Sequence, residues 1–557
     1  MNFLNRKRKI VFFYLSILFS INIIYGAALK TDEDVFDRIN RNFDIFGKVY
    51  KEVSLNYVDN IDVDKFMRAG IEGMLGTLDP YTVYYDETNR NEIELITSGK
   101  YGGIGITIEL RDSIVFVSDV MTGYEAEKKG LRHGDKILVI DGINLSGMKL
   151  ESIRKMVRGQ PGSAVKFKVD RGGDIINFEL IRQEIILKNI PYYGYAGEES
   201  DGIAYIKLDR FTNTSENEVE NALKTFKAKG NLKGVIFDLR NNGGGLLESA
   251  IGILNKFVAR NSLLLITKGR EKNSENKFFS KQEPLIPEDI PLVILINKNT
   301  ASASEIVSGA IQDLDRGVII GSRSFGKGLV QQIRDLSYGS KLKITMQRYY
   351  TPSGRWIQEK NYFKENKYGV FSNIEGFNQT NFKTLNGRTV KANGGISPDI
   401  EITPEEESEI YMALYQKDMF FKFANYYLSN NPGIKSFTMS DKIFNEFKDF
   451  IKSEGFDFKS EADKKIEELK LIADRKNYSK EYYEFLSKLK DDLQTEEAKE
   501  IDKVSEEIKL AIEKEINKRI LNEDERVKAS LNNDKAVTEA IRIIKTPLEY
   551  NSILNRK

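Results

Sequence analysis

From Gly202 to about Gly321 the chain alternates continuous apolar runs with helical stretches, and this pattern restricts the fold more than any other feature. Strands are expected at Ile203–Leu208, Gly234–Arg240, Leu292–Asn297 and Val318–Gly321, and helices at Ser215–Lys227, Leu246–Val258 and Ala303–Asp313. Runs that are apolar throughout belong to strands buried on both faces, so the segment reads as an α/β layer on a mostly parallel sheet. Lys341–Tyr350 adds a further strand.

The periodicity changes on either side of this layer. Phe36, Ile39, Phe43, Phe46, Tyr50 and Val53 recur at helical steps, and a second helical stretch runs from Val63 to about Leu78, stopping at Asp79-Pro80. Between Lys100 and about Glu184 short strands are punctuated by glycine, with a helix at Leu150–Val157. This order, with Gly130-Leu-Arg-His-Gly-Asp-Lys-Ile-Leu-Val-Ile-Asp-Gly142, resembles a PDZ domain. Such domains bind extended peptide ends by strand addition, with a glycine-rich loop offering amides to the terminal carboxylate. The candidate loop holds Gly102, Gly103, Ile104, Gly105 and Ile106; the plainer alternative is that these glycines only make turns. The last 150 or so residues are rich in lysine and glutamate and helical in pattern. Their stripe of Ile501, Val504, Ile508, Ile512, Ile516 and Ile520 reads as a packing or oligomerisation face.

The N-terminus has its own signature. A basic start (Asn5-Arg-Lys-Arg-Lys9), an apolar run from Ile10 to Ile24 and the small residues of Tyr25-Gly-Ala-Ala28 are the parts of a secretory signal peptide. An uncleaved anchor is the rival, because no charge follows until Lys30. A formal net charge of +1 argues against nucleic acid as a partner.

The chain has one histidine and no cysteine, which leaves a Ser-His-Asp or Cys-His nucleophile almost nothing to draw on and excludes the usual Cys/His zinc sites. A serine nucleophile would need another base, and lysine is the known alternative. Ser302 follows a strand and precedes a helix, so the amide of Ala303 and the positive helix end point at whatever bonds to its hydroxyl. The turn Gly243-Gly244-Gly245, also between a strand and a helix, offers further amides without side-chain obstruction. Lys327 lies between Gly326 and Gly328, which allow close packing around its stem, and it would have to be neutral to accept a proton. On an extended segment Gln331 falls on the same side as Lys327 and can orient its nitrogen. Each element has a plain reading. Ser302-Ala-Ser-Glu305 is also a helix-capping box, which taken alone is the stronger reading, and Lys327 alone reads as solvated. Gly321-x-x-x-x-Gly326-Lys327 is close to a phosphate-binding loop but fails at Gly328, where a hydroxyl residue should reach the metal.

Taken in order, Leu78-Asp-Pro-Tyr-Thr-Val-Tyr84, the PDZ stretch, Asp238-Leu-Arg-Asn-Asn-Gly-Gly-Gly-Leu246, Thr300-Ala-Ser-Ala-Ser-Glu-Ile306, Ser324-Phe-Gly-Lys-Gly328 with Gln331, Tyr350-Thr-Pro-Ser-Gly-Arg355 and Gly394-Gly-Ile-Ser-Pro-Asp399 resemble the C-terminal processing peptidases (tail-specific serine proteases). The resemblance implies a multidomain α/β protein. Its parts are a signal peptide or anchor (1–28), a helical N-terminal region (31–98), a PDZ domain (100–185), a crotonase-like peptidase core (186–404) and a charged helical region (405–557). It implies Ser302 as nucleophile, with Ser304 a bystander, Lys327 as base and Gln331 as its orienting partner. The oxyanion hole falls to Ala303 and the turn at Gly243, Gly244 and Gly245; Arg158 couples peptide binding to the site; Asp313 is structural. No cofactor or metal is implied. Expected substrates are proteins with unstructured apolar C-termini, met after export to the periplasm or from an inner-membrane anchor. A homo-oligomer and an activating adaptor or lipoprotein stay open. The competing class is a catalytically silent PDZ adaptor that binds protein tails. Trp356 and the aromatic stretch Glu359 to Asn386 depart from the family pattern.

Overall fold

The computed structural model describes residues 35–556 except 88–89, 112, 272, 361, 363–380, 393, 404–406 and 498. The signal or anchor segment and most of the stretch from Glu359 to Asn386 lie outside these residues. The chain divides into two units, one of them the residues up to Tyr84 together with Tyr362 and the other the remainder.

In the first unit a helix over 35–56 is followed by a second at Val63–Leu75, started by Asp62, whose carboxylate accepts the Lys65 amide at 3.1 Å. Gly76 ends that helix earlier than the periodicity suggests, and its amide bonds back to Glu72 O. Tyr50 joins the two helices, stacking on Phe66 at 5.7 Å and donating its hydroxyl to Val63 O at 2.9 Å.

In the second unit, the PDZ-like sheet runs in the order Ile106–Arg111, Ile114–Val120, Lys136–Ile140, Ala164–Arg171, Asp174–Ile181, with every pair antiparallel. The helix Leu150–Val157 buries Ile153 and Val157 against this sheet's core. Its last carbonyls are not orphaned, because Arg182 donates to Met156 O at 2.7 Å and to Val157 O at 3.0 Å. Lys100–Gly103 pairs with Gln183–Ile186, and the Gly159 amide reaches Gly102 O at 3.1 Å. A Cβ at Gly102 would lie 1.9 Å from Gly159 O, so this approach requires glycine.

The α/β layer forms as its pattern requires. Tyr192–Tyr195 pairs antiparallel with Ile203–Lys207, and Gly234–Asp238, Leu292–Ile296, Val318–Gly321 and Ile400–Glu401 follow in parallel. Successive residues alternate between two apolar clusters. Val235, Phe237, Ile294 and Ile319 meet the helices Ser215–Ala228, Leu247–Leu254 and Ala303–Asp313. Ile236, Val293, Leu295 and Ile320 meet Val537, Ala540, Ile543 and Tyr550. The second face is therefore closed by Lys535–Ile544 and Pro547–Ile553, which the sequence groups with the charged C-terminal region. The helix expected to reach Val258 closes at Leu254, because Lys256 and Phe257 bond three residues back and tighten the turn. Next to this layer an antiparallel sheet contains Leu329–Asp335, Lys341–Tyr350, Leu263–Gly269 and Asn276–Phe279.

The isoleucine stripe of the C-terminal region packs inside the protein. Ile508, Ile512 and Ile516 are buried with Phe420, Phe423 and Phe447. This helical region also grips the PDZ-like sheet. Arg111 bonds Asp418 at 2.8 Å, Arg526 holds both oxygens of Asp119 at 3.0 Å, and Phe421 lies between the guanidinium groups of Arg111 and Arg519. His133 is packed beside Phe421, and burial pushes its pKa down to about 3, which keeps it neutral.

Tyr550 tests the closed second face. Its hydroxyl accepts the Leu292 amide at 2.9 Å and donates to Leu292 O at 3.1 Å at the start of a central strand. Tyr550→Phe orphans that amide and is expected to destabilise the layer by about 1–3 kcal/mol. A lower denaturant midpoint for the core would show this, and an unchanged midpoint would mean the anchor is dispensable.

Candidate active site

The site is built where the strand Leu292–Ile296 turns into the helix Ala303–Asp313. Ser302 sits in the turn at φ 58 and ψ −117, a conformation costing a non-glycine residue about 1–3 kcal/mol that persists only when its surroundings overdetermine it. Glu305 supplies the largest part of that constraint. It is fully buried, and its carboxylate accepts the Ser302 amide at 2.8 Å, the Lys327 amide at 2.9 Å, the Gly326 amide at 2.6 Å and the Ser324 hydroxyl at 2.6 Å. The Ser302 and Lys327 amides share one oxygen, Oε2, so they lie no farther apart than two hydrogen-bond lengths. The glutamate part of the capping box is thus present, and it also ties down the lysine segment. One side chain thus serves both the helix start and the lysine segment, and the spacing Ser302-x-x-Glu305 signals the first of these.

The glycine turn meets Ser302 directly. A Cβ on Gly244, at φ +96, would come within 2.8 Å of Ser302 Cβ and 2.9 Å of the Ala303 amide nitrogen. Asn242, fully buried, shapes this turn: its side chain donates to Leu208 O at 2.8 Å and accepts the Gly244 amide at 2.8 Å, and its carbonyl accepts the Ala301 amide at 3.0 Å. The Gly244 amide is therefore engaged inside the turn, which leaves Gly243 and Gly245 as its other amides beside that of Ala303. Ser304 is buried with its hydroxyl on Asn242 O at 3.0 Å, whereas Ser302 is only partly buried.

Lys327 is half-buried between buried glycines, just before the strand Leu329–Asp335. Trp356 supports this segment: its indole donates to Gly328 O at 2.9 Å, while Gln358 accepts the Gly328 amide at 2.7 Å. The Gln331 side chain donates to Thr345 Oγ1 at 3.2 Å across the sheet, a neighbour that spacing along the chain did not reveal. Behind the helix, Asp313 pairs with the buried Arg355 at 2.8 Å and accepts the Ser353 amide at 3.0 Å.

The PDZ-like loop follows the short strand Lys100–Gly103. Gly102 and Gly103 pair with Glu184 and Gln183. Ile104 and Ile106 bury their side chains in the domain core, so their exposed contribution is backbone. The Ile104 and Gly105 carbonyls already accept the amides of Ala126 and Met121. Ile106–Arg111 ends the order of its sheet, beside the helix Leu150–Val157. The Arg158 guanidinium lies over Tyr101 at 4.9 Å. Among the described residues no group of histidine, aspartate and glutamate is placed to hold a metal ion.

The family model described as Peptidase family S41 matches residues 202–375. A PDZ domain model matches 102–181, one for a probable PDZ-protease C-terminal helical domain matches 410–544, and one for the activating protease CtpB N-terminal domain matches 16–89. The chain is 34% identical over 359 residues to a carboxy-terminal-processing protease of Bartonella bacilliformis, across 63% of this chain and 80% of that protein. To the carboxy-terminal processing protease CtpA of Bacillus subtilis it is 29% identical over 341 residues, across 61% and 70%. A solved structure of a photosystem II D1 C-terminal processing protease is 26% identical, with 65% of this chain and 92% of that one covered at a TM-score of 0.37. With a peptidase core, a PDZ domain and these relatives, the chain belongs to the carboxy-terminal processing proteases of peptidase family S41. It is a serine-type peptidase.

Glu305 gives the site a pH dependence. Burial pushes its pKa up to about 7, against the hydrogen bonds from Ser324 and from the Lys327, Gly326 and Ser302 amides. An unfolded glutamate titrates near 4.3, so Glu305 contributes stability that is full below about pH 4 and is lost as pH rises through about 7. Thermal midpoints of the parent and Glu305→Gln should therefore converge or cross as pH rises from 4 to 8. Parallel curves would show a carboxylate ionised throughout. The same variant should lose at least about tenfold in kcat, because its amide keeps one acceptor oxygen where two serve four donors from both segments.

Proposed function

We propose that the protein captures unstructured, apolar C-termini of protein substrates in its PDZ domain and cleaves nearby peptide bonds with Ser302 and Lys327. The shared Glu305 oxygen carries this reading, since it joins the Ser302 turn to the Lys327 segment while the glycine turn packs on Ser302. Ser302 Oγ attacks the scissile carbonyl carbon and passes its proton to neutral Lys327 Nζ. The oxyanion is met by the Ala303 amide and an amide of the glycine turn, Gly243 or Gly245, near the positive end of the Ala303–Asp313 helix. Collapse breaks the C–N bond, and the amine leaves with the proton from Lys327, giving a Ser302 ester. A water then gives its proton to Lys327 and attacks the ester, which releases the new carboxyl end and restores Ser302.

Gln331 acts beside Lys327 as its orienting partner. Substrate capture fits the end position of Ile106–Arg111 in its sheet, where a tail can add as a further strand next to the loop from Gly102 to Ile106. Arg158, whose guanidinium lies over Tyr101 just before that loop, reports its occupancy to the site. The first 28 residues direct export, so that the enzyme works in the periplasm, free or anchored.

Cleavage of a casein-like unfolded protein tests the assignment. Ser302→Ala and Lys327→Ala are each expected to lose at least about 10³-fold in kcat, while retaining affinity for an apolar tail peptide. Cleavage that persists in Ser302→Ala would move the nucleophile elsewhere. Tail binding with no cleavage by the parent would favour the adaptor. Replacing the last apolar residues of the substrate by aspartate should raise KM at least about tenfold with kcat little changed.

A further inference from the structure

The last helices of the chain are fastened to the glycine turn through one carboxylate. The strand Gly234–Asp238 ends on Asp238, which is buried and receives the Tyr205 hydroxyl at 2.6 Å, the Arg240 amide at 2.9 Å and Arg240 Nη2 at 2.7 Å. Burial would raise the pKa of Asp238, but the charges of Arg240 and Lys207 and the hydrogen bonds from Arg240 and Tyr205 hold it down to about 2. Arg240 has a second carboxylate, because its Nη2 also meets Asp534 Oδ2 at 2.7 Å. The other oxygen of Asp534 starts the helix Lys535–Ile544, accepting the amides of Ala536 at 2.9 Å and Val537 at 3.1 Å.

That helix lies on the opposite face of the core sheet from the helix that follows Ser302. Asp534 therefore joins the far-side cover to the point where the chain leaves the sheet for the turn 241–245. Downstream of Arg240 the turn is tightly determined: Asn241 takes φ 63, Asn242 is locked by its own side chain, and Gly244 rests on Ser302. This short stiff segment links Arg240 to the turn that packs on Ser302.

We propose that Asp534 is a positioning residue for peptide-bond cleavage, setting the 241–245 turn against Ser302 through Arg240. This rests on the reading of that turn as the oxyanion site. The two oxygens of Asp534 have separate tasks, which lets the positioning role be tested apart from helix capping. Asparagine and serine both retain a capping oxygen but remove the charge facing Arg240.

The test uses the full chain as Asp534→Asn and Asp534→Ser, with kcat and KM on an unfolded casein-like protein, thermal midpoints, and affinity for a peptide aldehyde that forms a tetrahedral adduct with serine. Both variants are expected to lose about 10- to 100-fold in kcat and to bind the aldehyde correspondingly more weakly, with KM within about twofold. Thermal midpoints should stay near the parent value, because the cap survives. A kcat within about twofold of the parent overturns the proposal, and so does a lowered midpoint with intact kcat, which would make the Asp534–Arg240 pair a stabilising tie alone. Ser302→Ala is run beside them. Cleavage retained by Ser302→Ala sinks the underlying site assignment, whereas a dead Ser302→Ala next to fully active Asp534 variants sinks only the positioning role.

Discussion

The carboxylate of Glu305 is the interaction on which the site's geometry depends. A carboxyl group with no exposure is tolerated only when its oxygens are met, and four donors from two separate chain segments meet them. Glu305 also sits in the first turn of a helix, where the positive end of the dipole favours a negative group. The consequence is mechanical as much as electrostatic. Ser302 is held in a backbone conformation that it would not choose, and the segment carrying Lys327 is brought to the same oxygen. Ser324 extends the arrangement, because its hydroxyl donates to Glu305 and accepts the Ile396 amide at 2.6 Å, tying in the Gly394–Asp399 stretch.

A second constraint comes from the sheet. Parallel strands that are apolar on both sides need cover on both faces. The helices interleaved with the strands cover one face, and the second is covered by helices that lie more than two hundred residues farther along the chain. The C-terminal region is thus part of the peptidase layer's own core. Through Asp418, Phe421 and Arg526 it is also the partner of the PDZ-like sheet. One helical region therefore supports both the part that carries the candidate nucleophile and the part proposed to capture tails.

Much of this was legible in the chain. The α/β alternation, the helix Leu150–Val157 and the strand Lys341–Tyr350 follow from hydrophobic period, because burial on one or two faces leaves a direct trace in residue order. The corner that carries Ser302 and Ala303 into a helix, and the glycine turn, are legible because a strand-to-helix corner and an unobstructed turn need particular residue types. Less legible were the contacts that cross the chain. Glu305 reads locally as a capping residue, and nothing near it announces the amides of Gly326 and Lys327. Gln331 aligns with Lys327 by strand spacing, yet its side-chain amide rests on Thr345, a partner chosen by strand register. Trp356 looked like a departure from the family pattern and is a support for Gly328.

By itself the sequence determined which segments are helix or strand, which faces must be buried, and which residue types are available for chemistry when histidine and cysteine are nearly absent. Those properties are set by neighbours within a few positions, so they are written in local order. Only the tertiary structure decided that one buried carboxylate serves both the serine and the lysine segments, that the Gly244 amide is already engaged by Asn242, and that the final helices close the core sheet and reach Arg240. These depend on which distant segments share a small volume. Hydrogen bonds and ion pairs are short-ranged, so such contacts exist only once the sheet has brought the segments together.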